Sequence, residues 1–99
     1  MKRVIYINNA YGAKDKYIFK EEYDGFGIYQ RITPNGLFVH QEWLISNNAG
    51  VELVIQSYNY ICKEELLDMI DSYNENGKFG VKAFTHCDAL LMHPSGKLV

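Results

Sequence analysis

The chain is short of nearly everything that announces chemistry. Its 99 residues include 2 Cys, 2 Pro, 3 His and 1 Trp, and of its 10 basic residues only Arg3 and Arg31 are arginine. Cys62 and Cys87 follow no secretion signal, so reduced thiols are expected rather than a disulfide framework. The apolar run at residues 4–7 is far too short for a signal-peptide core or a membrane span. The expectation is therefore a soluble, cytoplasmic chain with no membrane partner. A formal charge of −2, with no basic stripe, argues against direct binding of DNA or RNA. Internal repeats and low-complexity segments are also missing.

Recognisable reaction motifs are equally scarce. Gly96-Lys97 lacks the upstream glycine and the following Ser or Thr of a phosphate loop, and reads as a turn. Neither cysteine sits in a small-residue elbow or beside an oxyanion loop, so each reads as a space-filling thiol. The metal-ligand types His86, Cys87 and His93, with His40 or Cys62 as a fourth, lack the paired spacing of zinc sites. A metal-free acid–base pair of His40 with His86 or His93 would need Lys82, Lys97 and Arg31 to hold a phosphate, in a chain with no basic cluster. No cofactor and no metal are expected.

What is present is the composition of a folded chain: 47% hydrophobic and 22% charged residues over 1–99, read as a single domain. Aromatics make up 14%, mostly tyrosine, which favours half-buried strands. Residues 4–7 read as a strand buried on both sides or nearly so, and 15–22 as a half-exposed strand with Tyr17 and Phe19 on one face and Lys16 and Lys20 on the other. Asp24-Gly25 is a hairpin turn leading into 26–32, where Phe26, Ile28 and Ile32 oppose Tyr29 and Arg31. Thr33-Pro34-Asn35-Gly36 is a second turn, in which Asn-Gly supplies positive φ. Beyond it, 37–46 reads as a long strand bent near Gln41. Residues 51–60, 78–84, 89–92 and 97–99 complete the strand readings. The sum is an α+β fold: a mostly antiparallel sheet of about five to seven strands, opening with an N-terminal meander, and one amphipathic helix on one face. One helix covers such a face only in part, leaving Tyr and Phe on the other face as a contact surface, and an open sheet edge offers a route to homo-oligomers.

That helix is the organising stretch, residues 63–76, KEELLDMIDSYNEN, closed by Gly77. At 100° per residue, Leu66, Leu67, Met69, Ile70 and Tyr73 form one apolar face. Glu64, Asp68, Asp71 and Glu75 share the opposite arc of roughly 60°, with no Lys or Arg between them. Like charges at this spacing oppose the helix by about 0.2–0.5 kcal/mol per pair, so tertiary burial must hold it. A plain solvated face is one reading of the stripe. The functional reading is a small non-catalytic protein-binding module that presents Glu64, Asp68, Asp71 and Glu75, with Tyr58, Tyr60 and Tyr73, to a basic, nucleic-acid-handling protein. An excess of Lys over Arg with abundant Asn, Ile and Tyr suits an AT-rich coding sequence, hence a phage or mobile-element inhibitor. The alternative is a small hydrolase or metal-dependent enzyme built on His86, Cys87, Asp88 and His93.

Overall fold

The computed structural model of the chain describes residues 1–57, 63–79 and 89–92. Within them β1 (Val4–Asn8), β2 (Lys14–Tyr23), β3 (Phe26–Ile32), β4 (Phe38–Ser46) and β5 (Glu52–Ser57) precede α1 (Lys63–Asn76), and β6 (Ala89–Met92) follows it. The strands lie in sequence order across one sheet, each antiparallel to the next. This is an α+β fold with one helix. The readings at 58–60, 80–84 and 97–99 lie outside the described residues.

Turn chemistry explains the meander. Asp24 and Gly25 both take positive φ, 50° and 91°, the twist that a two-residue hairpin needs. At the next hairpin only Gly36 does so, with φ 85°. Pro34 and Asn35 make an ordinary turn, and Gly36 supplies the left-handed residue that returns the chain to register. Thr33 N–H donates to Leu37 O at 2.8 Å, and Gly36 N–H to Thr33 O at 2.9 Å, so the loop is one residue longer than a two-residue Asn-Gly turn.

The core lies on both faces of the sheet. Phe26, Ile28, Ile45, Leu53 and Ile55 meet Leu66, Met69 and Ile70 of α1, together with Phe79. Tyr73 stacks on Phe79 at 4.8 Å and meets Phe26 edge-on at 5.5 Å. The helix closes as its sequence suggests: Gly77, at φ 77°, donates its N–H to Tyr73 O at 2.8 Å. On the other face Ile5, Tyr17, Tyr29, Leu44 and Val54 form a second cluster, with Tyr29 and Leu44 fully buried. Among the described residues, the Tyr and Phe of that face are therefore packed into this cluster rather than left free.

The exposed aromatics are elsewhere. Tyr6, Lys16, Ile32 and Phe38 are successive cross-strand neighbours on the helix-bearing face, and Tyr6 and Phe38 are 57% and 39% exposed. Residues 4–7 are not buried on both sides, because β1 stands at the end of the strand order, where only Ile5 of this run is buried.

Two irregularities set which side chain meets which face. Between Phe19 and Glu21 the β2 register slips by one residue against β3. Side chains on one strand alternate, so an extra residue reverses the phase of all that follow. Tyr17 and Phe19 thus join the second cluster, while Tyr23 packs beside the helix. In β4 the pairing jumps from Ile32↔Phe38 to Gln30↔Trp43, which is the bend expected near Gln41. Buried Gln30 satisfies part of the displaced backbone there, its amide donating to Val39 O at 3.2 Å.

Leu66→Ala should cost about 2–5 kcal/mol in urea denaturation, since the side chain is fully buried between helix and sheet. Deleting Lys20 should leave Glu21 and Tyr23 on the helix face, because Phe19↔Tyr29 is then followed directly by Glu21↔Ile28 in an unbroken ladder. Its unfolding midpoint should therefore stay close to that of Lys20→Ala, and a midpoint far below would refute the reading of Lys20 as the extra residue.

Candidate functional site

The acidic stripe survives folding as an outward ridge. Glu64, Asp68 and Glu75 are exposed, and among the described residues no hydrogen bond or ion pair engages them. Lys63, the one cation on α1, reaches away to Glu21 in β2 at 2.7 Å. Asp71 differs from its three neighbours. It is half-buried and accepts a hydrogen bond from the Tyr23 hydroxyl at 2.9 Å, an arm supplied by β2 beyond its register slip.

The β2–β3 turn extends the ridge. Asn74 Nδ2 donates to Asp24 O at 3.1 Å and to Asp24 Oδ2 at 3.3 Å, tying the last turn of α1 to that hairpin. Tyr23 registers the resulting field: its phenol pKa is raised, first by the hydrogen bond to Asp71, then by desolvation and by the charges of Asp71, Asp24 and Asp68. Sequence reading missed Tyr23, Asp24 and Asn74 as members. An Asn eleven residues beyond the helix start and a turn aspartate give no periodic signal, and strict alternation puts Tyr23 on the wrong face.

No protein-family model, curated protein or solved structure matches the chain.

Of the seven residues expected at the site, Glu64, Asp68, Asp71 and Glu75 share the ridge. Tyr73 lies under it with its ring engaged by Phe26 and Phe79. Tyr58 and Tyr60 lie outside the described residues, as do Cys62, His86, Cys87, Asp88 and His93. His40 is exposed on β4, and its backbone carbonyl accepts from Trp43 Nε1 at 3.1 Å.

A second polar group lies on the opposite face of the sheet. Arg31 bonds Glu42 and pairs with Asp15 at 3.4 Å. Asn9 Nδ2 donates to the same Asp15 at 3.1 Å, and Gln56 Nε2 donates to Glu42 at 2.9 Å. Four strands and one turn thus converge on one guanidinium. Burial works against the Arg31 charge, but the hydrogen bond and charge of Glu42, followed by Asp15, prevail and raise its pKa. Buried Tyr17 is pushed well above the usual tyrosine range, chiefly by burial and then by Glu42 and Asp15, with Arg31 opposing. The sequence hides this group because its members come from separate strands, with Glu42 beyond the bend of β4.

The Tyr17 shift has a definite sign. The unfolded chain releases its tyrosine protons near the ordinary value of about 10, whereas folded Tyr17 keeps its proton. Its contribution is complete below that value and is lost as pH rises above it. In urea titrations between pH 8 and 11, Tyr17→Phe should lose less stability than the native chain. An equal loss would show that Tyr17 is not held neutral.

Proposed function

We propose that this chain is a small non-catalytic binding module whose acidic ridge docks a basic protein, in the manner of a phage or mobile-element inhibitor of a nucleic-acid-handling partner. The observation that carries the reading is the exposure of Glu64, Asp68 and Glu75 without a cation of the described chain on them. Three like charges on one face, reinforced by Asp24 and Asp71, oppose the fold and are kept by burial on the far side of the helix. Along the helix axis the stripe spans about 16 Å, a row of negative charge comparable with the phosphate spacing that a basic groove accepts. Tyr73 supports the helix from beneath, and Tyr58 and Tyr60 extend the proposed surface in sequence.

Such a surface works by steering and charge complementarity, so its association should weaken with salt over a Debye length of about 8 Å at physiological strength. The direct test reverses Asp68 and Glu75 to Lys and leaves Asp71 in place to hold Tyr23. The immobilised native chain should retain basic proteins from a bacterial lysate, release them as salt rises, and yield them to added duplex DNA as a competitor. The reversed variant, shown by circular dichroism to be folded, should lose that retention by tenfold or more, on the order of two charge contacts. Retention that is unchanged by the reversal would end this reading.

A further inference from the structure

The backbone of β1 has an open side. Phe19 N–H donates to Arg3 O at 2.9 Å and Asn9 N–H to Ala13 O at 2.8 Å, so Arg3 and Asn9 turn their polar groups toward β2. Antiparallel pairing alternates these groups with a period of two, which commits Ile5 and Ile7 to β2 as well. Val4, Tyr6 and Asn8 therefore direct their N–H and C=O groups away from the sheet. Among the described residues no strand receives them, because β1 ends the strand order. Native edges are guarded by lysine, proline or a bulge, whereas Val4–Asn8 contains neither residue and pairs with β2 in unbroken register. The edge is open to another strand.

The sequence of β1 is its own complement. Registers that set outward groups against outward groups differ by two residues, and centring an antiparallel pair on Tyr6 is the one that engages all five positions. Val4 then faces the second copy's Asn8, and Tyr6 faces the second copy's Tyr6. Each such pair exchanges two backbone bonds, about six in all. On the face of the second cluster, Ile5 meets the second copy's Ile7 in a non-hydrogen-bonded pair, where side chains approach most closely. Both isoleucines already pack with that cluster, so its apolar surface continues across the junction. On the helix-bearing face Tyr6, 57% exposed, gains a ring neighbour.

Charge does not oppose this register. Strand β1 carries none, and Arg3 falls opposite the second copy's Asn9. Lys16, the neighbour of Tyr6 on β2, stands three strand spacings from the second copy's Lys16, about 14 Å, well beyond the Debye length near 8 Å. Helix α1 rests on β3, β4 and β5, and no residue of β1 packs against it, so the acidic ridge lies clear of the junction.

We propose that two copies of this chain pair edge to edge through β1, antiparallel and centred on Tyr6, to form one continuous sheet across a two-fold axis. Five residues a side make a small contact, so the association is reversible, with a Kd between about 10 μM and 1 mM. It is independent of the function proposed for the ridge, since the two surfaces share no residue.

Sedimentation equilibrium of the full chain, taken through that concentration range and above it, should show a monomer–dimer equilibrium. Amide exchange followed by NMR locates the contact. Where nine-tenths of the chain is dimeric, the amides of Val4, Tyr6 and Asn8 should exchange roughly tenfold more slowly than in dilute solution, because only the remaining monomer leaves them open. Those of Ile5 and Ile7, bonded to β2 in either state, should change far less. Tyr6→Pro removes an outward N–H that takes no part in the β1–β2 ladder. Tyr6→Lys keeps the backbone intact and sets two like charges face to face. Both should stay monomeric. The proposal is overturned by a native chain that is monomeric throughout, by a dimer whose new protection falls on α1 or β6 instead of β1, or by a folded Tyr6→Lys variant that dimerises as the native chain does.

Discussion

Between Phe19 and Glu21, β2 carries one residue more than the strand it pairs with, and the rest of the molecule depends on that excess. A strand offers its side chains alternately to two faces, and this strand must serve two cores that call for opposite phases. Its first half sends Tyr17 and Phe19 to the cluster around Tyr29 and Leu44. Its second half sends Tyr23 toward the helix and Glu21 to Lys63. A regular strand would satisfy one core and place polar groups in the other. The slip joins a sheet buried on both faces to a helix buried on one.

The acidic ridge is a consequence of this packing. Like charges along α1 oppose it, and its own termini offer only modest relief through Glu64 and Glu65 in the first turn and Gly77 past the last. The offset comes from Leu66, Met69 and Ile70, which are fully removed from water against β3, β4 and β5. Burial of that size, about 1.5–3 kcal/mol for each large side chain, exceeds the repulsion of the exposed carboxylates several-fold. Strong packing beneath thus permits an unneutralised surface above. The bonds from Tyr23 to Asp71 and from Asn74 to Asp24 fix the ridge to the hairpin, so that its charges move as one body.

Much of this was legible from local pattern and some was not. The helix, its apolar face and its glycine cap follow from a 3.6-residue period and a left-handed terminus, and both appear within the stated residues. The β3 boundaries follow from Asp24-Gly25 on one side and Thr33-Pro34 on the other. Residues 4–7 misled because an apolar run has the same composition in a central strand as in an edge strand, and only the strand order separates them. Tyr29 shows the limit of alternation: it marks a face correctly, but the depth of burial on that face depends on the second cluster. Arg31, Asp15 and Glu42 form a group only through pairings between separate strands, which no window along the chain contains. The bend in β4 further disguises Glu42 by reversing its phase relative to Phe38.

Lys14 and Lys16 stand at the end of the sheet remote from the acidic ridge. Strand β2 runs from Lys14 to Tyr23, beside Asp24, and its ten residues extend about 30 Å. That distance exceeds the Debye length near 8 Å more than threefold, so the carboxylates of the ridge do little to cancel the field at Lys14 and Lys16. The link between the two ends is mechanical, through β2 and β3, whose register is pinned from Lys16↔Ile32 to Tyr23↔Phe26. Any coupling between them must pass through strands buried on both faces, which resist small displacements. Independence of the two ends is what this arrangement favours, because neither charge nor an evident hinge in β2 and β3 connects them.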